Sequence, residues 1–155
     1  MSSIPDGMLT NGRPPIPYFD PDELLFRRIQ PNALRSGRLT IASIELPDIS
    51  TNRSSLGPPE WVLVSEKNEF DGWGIARLRV GDIPQQMLQH GAIEFTFGVE
   101  HKPLLKNYPH SEVRAYERGR HVDGKTVPLD PDLHLRFRVD LLLKTKIHQY
   151  PDARS

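Results

Sequence analysis

The sequence contains no cysteine in its 155 residues. Disulfides, thiolate zinc sites and thiol-based catalysis are therefore excluded. Long apolar runs are also lacking, so the sequence predicts no membrane-spanning helix. Residues 1–15 have neither a basic start nor an apolar stretch, and we expect no secretory signal there. Because small secreted domains often depend on disulfides, the composition favours a cytoplasmic location.

An excess of charge of either sign is lacking as well, since 20 basic residues face 20 acidic ones. The balance is uneven along the chain, with 9 basic and 13 acidic residues in 1–100 and 11 and 7 in 101–155. A dedicated nucleic-acid binder usually carries a clear basic excess. Another protein is therefore the favoured partner, and a nucleic acid is the less favoured one. We predict no contact with a membrane.

Apolar residues alternate with polar ones in residues 93–99 and again in 73–80, which is typical of strands with one buried face. Residues 133–143 show the same period of two, although Asp130 and Pro131 could instead begin a helix. We interpret this stretch as a strand. The length of residues 22–29 does not decide between helix and strand. The sequence thus predicts an α+β fold with a mostly antiparallel sheet of five or six strands and a few short helices.

Proline and glycine divide the chain into three parts. Residues 1–20 contain four prolines and few core-forming residues, and we interpret them as an irregular N-terminal arm. Residues 21–148 form a single α+β domain in this interpretation. The polar residues 149–155 are then a frayed tail.

The densest polar stretch supplies the candidate catalytic residues His101, His110 and Glu112. Histidine titrates near neutral pH, and a nearby carboxylate with a raised pKa can act as a base. No His-x3-His pattern and no glycine-rich phosphate loop is present, so we predict neither a metal nor a cofactor.

The candidate binding residues are five arginines, namely Arg27, Arg53, Arg114, Arg118 and Arg120. Arg53 lies in the segment STNRSS, residues 50–55, whose small hydroxyl and amide side chains predict a turn. In a functional interpretation Arg53 would hold an anionic group there. The remaining arginines could form a local basic face.

Several short blocks follow one another along residues 24–118: LFRRIQP (25–31), STNRSS (50–55), PPEW (58–61), WGIARL (73–78) and NYPHSEV (107–113). Their order resembles that of small uncharacterised bacterial proteins, which are commonly encoded within mobile-element, toxin or defence cassettes. The resemblance implies a bacterial accessory protein.

A second resemblance rests on the order of Arg27, Ser50-Thr51 and Glu112 along β-rich segments. This order is similar to that of Arg-Ser-Glu ADP-ribosyltransferases. The resemblance implies that Arg27 contacts a nucleotide phosphate, that Ser50-Thr51 is the family's Ser-Thr pair and that Glu112 is the catalytic carboxylate.

Two functions follow from these observations. The first is a non-catalytic protein-interaction module or accessory subunit of a bacterial assembly, because the chain shows no established catalytic motif and an open sheet can bind a partner by strand addition. The alternative is an ADP-ribosyltransferase-like or nuclease-like enzyme that uses His101, His110 and Glu112.

Overall fold

The computed structural model describes residues 4–40, 43–44, 48–83, 88–127 and 131–152. Within these ranges the regular elements are β1 (Leu24–Ile29), β2 (Leu34–Arg35), β3 (Arg38–Leu39), β4 (Asp48–Arg53), β5 (Gly74–Arg79), β6 (Leu88–His90), β7 (Ile93–His101), β8 (His110–Glu117), β9 (Arg120–His121), α1 (Pro131–Lys144) and β10 (Lys146–Gln149). Single 3-10 turns cover Asp6–Met8, Pro31–Ala33, Pro59–Leu63 and Val80–Asp82. Residues 1–3 of the arm and 153–155 of the tail lie outside the described residues.

The strands form one large antiparallel sheet in the order β10-β5-β1-β4-β8-β7-β6. β9 pairs with the end of β8, and β2 and β3 form a separate hairpin. The prediction of an α+β fold with a mostly antiparallel sheet is thus confirmed. Within the described ranges the path has seven strands instead of five or six, and one α-helix is present beside the four 3-10 segments. Among the described residues, no helix has the length and apolar character needed to cross a bilayer.

The two faces of the sheet differ in chemistry because side chains alternate along each strand. One face, called the helix face here, carries Phe97, Val113 and Leu25 beneath α1. Phe137 of α1 stacks on Phe97 with ring centroids 3.4 Å apart, and Leu141 is fully buried beside it. The opposite face, called the open face, presents mainly polar residues of β4 and β8.

The prediction of a strand at residues 133–143 is wrong, because this stretch lies within α1. Phe137 and Leu141 stand one helical turn apart and both face the sheet. Leu135, Val139 and Leu143 are 54%, 40% and 77% exposed. The period of two was therefore produced partly by apolar residues that do not contribute to the core.

The sequence left helix and strand open at residues 22–29, and the structure shows a strand there, because these residues contain β1.

The prediction of a turn at residues 50–55 is wrong over its first part, because β4 extends to Arg53. β4 lies between β1 and β8 in the sheet, and its polar side chains find partners there. Thr51 Oγ1 lies 2.7 Å from Ser111 Oγ on β8, for example. A polar strand is stable in the sheet interior when such bonds replace water.

Candidate functional site

The sheet opens between β1 and β4. The two strands pair only at Leu25 with Arg53 and at Phe26 with Asn52, and Ser54 closes this end through two bonds of 2.9 Å with the backbone of Leu24. From Asn52 toward the beginning of β4 the ladder ends, and a groove of about 620 Å³ extends between the two strands onto the open face. This volume is within the range of pockets that bind ligands.

One wall of the groove is aromatic. Phe70 and Trp73 pack edge to face with their ring centroids 4.9 Å apart. The guanidinium of Arg28 lies 3.9 Å from the centroid of the Phe70 ring, and burial lowers the pKa of Arg28. A cation stacked on an aromatic face keeps its charge while covering the ring. The wall therefore combines apolar surface with one positive charge.

The opposite wall is the loop between β7 and β8. Leu104 and Asn107 exchange two backbone hydrogen bonds of 3.1 and 3.0 Å, which makes the loop a tight turn. The N-terminal arm holds this turn in place, because Thr10 N donates to Leu105 O and Tyr108 Oη donates to Pro14 O. Asn107 is thereby fixed above β4.

Asn52 and Asn107 meet across the groove. Asn107 Nδ2 donates to Asn52 Oδ1 over 2.8 Å, while the buried Asn52 Nδ2 and Asn107 Oδ1 have no partner in the described part of the chain. Turning both amides over would reverse this bond and again leave one donor and one acceptor open. In either assignment one amide nitrogen and one amide oxygen stay buried in the groove wall without a protein partner. Leaving such atoms unpaired costs about 1–3 kcal/mol each, so both atoms favour a hydrogen-bond partner from outside the chain.

His110 is the one candidate catalytic residue that lines the groove. Its Nδ1 donates to Lys102 O over 2.7 Å, so the neutral ring keeps its lone pair on Nε2. A histidine with a fixed tautomer can accept a proton or a hydrogen bond from a bound molecule.

Arg27 bridges the opening between the strands. Its Nε donates to Ser43 O over 2.8 Å, and its Nη1 donates to Ser50 O over 3.2 Å. The side chain thus replaces backbone hydrogen bonds where the ladder between β1 and β4 has ended. Arg27 lines the groove at this point.

His101 and Arg53 lie at the other face of the sheet, where they hold the N-terminal arm. His101 Nδ1 accepts from Ile16 N over 2.8 Å and its Nε2 donates to Tyr108 O over 2.7 Å. Burial lowers the pKa of His101, in keeping with a neutral ring that uses both nitrogens. Its position indicates a structural role.

Arg53 is paired with a carboxylate of the protein itself, that of Glu23. Arg53 Nη2 lies 2.9 Å from Glu23 Oε1, and the two side chains are 3% and 4% exposed. Nε also donates to Glu23 Oε2 over 3.0 Å, while Nη1 donates to Ile16 O and Nη2 to Tyr18 O, both over 2.6 Å. Burial acts to raise the pKa of Glu23, but hydrogen bonds from Arg53 and Ser55 outweigh it and lower the pKa.

Glu112 is bound to Arg114 within a charged cluster on the open face. Arg114 Nη2 lies 2.6 Å from Glu112 Oε2 and Nη1 lies 3.2 Å from Glu100 Oε2, while Asp48 is 3.4 Å from Nε. Burial works against the charge of Arg114, but these carboxylates raise its pKa on balance. The hydrogen bond from Tyr116 is the main cause of the lowered pKa of Glu100. The positive charge of Arg114 is thus compensated by three carboxylates of the protein itself.

The five predicted arginines therefore do not form one basic surface. Arg118 and Arg120 are exposed at the turn between β8 and β9, whereas Arg27, Arg53 and Arg114 bond to groups of the protein itself. The structure likewise separates the predicted catalytic group, with His110 at the groove, Glu112 in the Arg114 cluster and His101 at the arm. Within the described ranges, no group of three or more acidic or histidine side chains could hold a metal ion.

Sequence reasoning missed Asn52 and Asn107 as site residues. Both lie in motifs singled out above, STNRSS and NYPHSEV. Asparagine is common in turns, so its presence there carried no signal of a site. Only the pairing of β4 with β8 brings the two amides together.

Comparison of the chain with protein-family models, with curated proteins and with solved structures gives no match.

Proposed function

We propose that this chain is a protein-interaction module whose groove binds an extended segment of a partner protein. The observation that carries the proposal is the open amide pair formed by Asn52 and Asn107. A peptide backbone offers an acceptor for the open N–H and a donor for the open oxygen. Such a ligand satisfies both buried atoms at once, whichever way the two amides are turned.

The surroundings of the pair support a peptide as the ligand. The groove follows the line where β1 and β4 separate, so an extended chain can lie along it. Phe70 and Trp73 provide an apolar wall for a side chain of the partner. Leu104 and Leu105 are 51% and 77% exposed at the opposite rim. Adjacent exposed leucines favour a macromolecular partner, since a small polar ligand would leave them in water.

The test compares peptide binding by the wild type and by the double variant Asn52→Leu/Asn107→Leu. A phage-displayed library of random dodecapeptides is the probe, and enriched peptides are synthesised for calorimetry. We expect the variant to bind them at least about tenfold more weakly, because two hydrogen bonds are lost. We expect its melting temperature to equal or exceed that of the wild type, since unpaired buried atoms have been removed. Gln149→Leu, at an exposed site on β10, is the matched control and should bind like the wild type.

A direct readout comes from the side-chain amide resonances of Asn52 and Asn107 in nitrogen-15 spectra. Both should shift when the enriched peptide is added, and the resonances of the exposed Asn68 should not. Equal peptide affinity in the wild type and in the double variant would rule out the groove as the peptide site. Unchanged Asn52 and Asn107 resonances at peptide saturation would do the same.

A second candidate is an enzyme resembling the ADP-ribosyltransferases. Arg27, Ser50 and Glu112 lie on the neighbouring strands β1, β4 and β8, and Ser50 stands opposite Glu112 in the register. The test is release of nicotinamide from NAD⁺ by the wild type, with Glu112→Gln as the inactive variant and Glu94→Gln as the control. The absence of nicotinamide release from the wild type would remove this candidate.

A further inference from the structure

The outer side of α1 carries an apolar ridge. Leu135, Val139 and Leu143 follow one another at intervals of four residues and are exposed. Residues four apart form the ridges by which helices pack against one another. The inner side of the same helix is already occupied, because Phe137 and Leu141 are buried against the sheet. The ridge is therefore a second packing surface on α1.

Four charged residues lie beside the ridge, also at intervals of four residues: Asp132, Arg136, Asp140 and Lys144. The last three of them directly follow the three ridge residues in the sequence. Their charges alternate from negative to positive along the helix. In a copy that runs in the opposite direction, every position of the row therefore carries the opposite charge. When two copies lie antiparallel about an axis at Val139, Arg136 and Asp140 of the other copy lie about 3 Å apart along the helix axis, and so do Asp132 and Lys144, an offset that the long basic side chains can span. The row thus complements an antiparallel copy of itself.

We propose that two copies of this chain associate through α1, with the helices antiparallel and the two-fold axis close to Val139. The ridge then packs on its own counterpart, Leu135 against Leu143 and Val139 against Val139, as an isologous interface requires. Because α1 covers the helix face, the groove on the open face stays accessible in the dimer. This proposal does not depend on the function proposed for the groove.

The arrangement has a geometric consequence that can be measured. Helix axes pack about 8–10 Å apart, which brings the two Val139 Cα atoms within about 6 Å of each other. That distance suits a disulfide. The two Leu143 Cα atoms are separated by about 12 Å along the helix axis, which is too far. Since the chain has no cysteine, one engineered thiol reports on one position alone.

The experiment oxidises three single-cysteine variants of the full chain and quantifies the covalent dimer on non-reducing gels. We expect Val139→Cys to cross-link at least about tenfold faster than Leu143→Cys. Lys125→Cys, at an exposed loop position outside α1, is the control and should cross-link as slowly as Leu143→Cys. Equal rates at Val139 and Leu143 would overturn the antiparallel arrangement. Equal rates at Val139 and Lys125 would overturn the interface itself.

Charge exchange tests the same proposal without an engineered thiol. We expect Asp140→Arg to weaken dimerisation several-fold in sedimentation equilibrium, because two arginines then face each other across the axis. The double variant Arg136→Asp/Asp140→Arg restores opposite pairs and should recover wild-type dimerisation. All these residues lie on the helix surface, so the variants retain the core. A wild type that is monomeric at millimolar concentration, or a double variant no better than the single one, would overturn the proposal.

Discussion

The buried ion pair between Arg53 and Glu23 gives the sharpest prediction about stability. Arg53→Met removes the guanidinium but keeps the length of the side chain, and it leaves the Glu23 carboxylate buried. Removing one partner from a buried pair costs about 3–5 kcal/mol. For a chain of this length we expect the melting temperature to fall by about 10 °C. Urea unfolding followed by circular dichroism measures the free energy directly.

The matched control is Arg79→Met, which breaks an exposed pair. Arg79 Nη1 lies 3.6 Å from Asp22 Oδ1, with the two side chains 41% and 90% exposed. Exposed pairs contribute about 0–1 kcal/mol, so this variant should stay close to the wild type. The double variant Glu23→Gln/Arg53→Met should be more stable than Arg53→Met alone, because the isolated charge is gone. If the two single methionine variants lose equal free energy, the reasoning about burial is wrong.

The pH dependence of the same variant supplies an independent check. The pKa of Glu23 is lowered in the folded protein, so its charged form stabilises the fold above the ordinary carboxylate pKa of about 4.3. This contribution is lost as the pH falls through the folded-state pKa. We therefore expect the free-energy difference between wild type and Arg53→Met to narrow below about pH 4. A difference that stays constant down to pH 2 would contradict the assignment.

Three further predictions concern the core, one sheet edge and the arm. Leu141→Ala should cost about 2–5 kcal/mol in urea unfolding, and Leu105→Ala close to nothing, because Leu141 is buried and Leu105 is exposed. Gly74→Ala should destabilise β10 and speed its amide exchange, since the new Cβ would lie 2.6 Å from Gln149 O. The lowered pKa of His101 predicts that the stability gap between wild type and His101→Gln narrows as the pH falls below about 6.5. A pH-independent gap would show that the ring is not held neutral.

Periodicity identified the strands that have one buried and one polar side. β7 and β5 alternate clearly, and both were predicted close to their observed bounds. β4 was not predicted as a strand because its residues are polar. Its stability comes from partners distant in sequence, such as Ser111. Local patterns contain no information about such partners. α1 was predicted as a strand because its exposed side carries Leu135, Val139 and Leu143, apolar residues of the kind that form a core.

The candidate site was predictable only in part. His110 and Arg27 were singled out from the sequence, and both line the groove. The groove itself arises where the pairing of β1 with β4 ends, which depends on how three strands meet. Arg53, proposed from the sequence to hold an anionic group, is paired with Glu23 of the same chain.

The central place of β1 in the sheet has a consequence for synthesis on the ribosome. β1 precedes both of its neighbours in the chain, so it leaves the exit tunnel before β4 and β5 do. Until then the nascent chain carries an apolar strand with two unpaired edges. Such a strand is prone to aggregate and is a natural target for chaperones. A fragment that ends before β4 would therefore be a substrate for quality control.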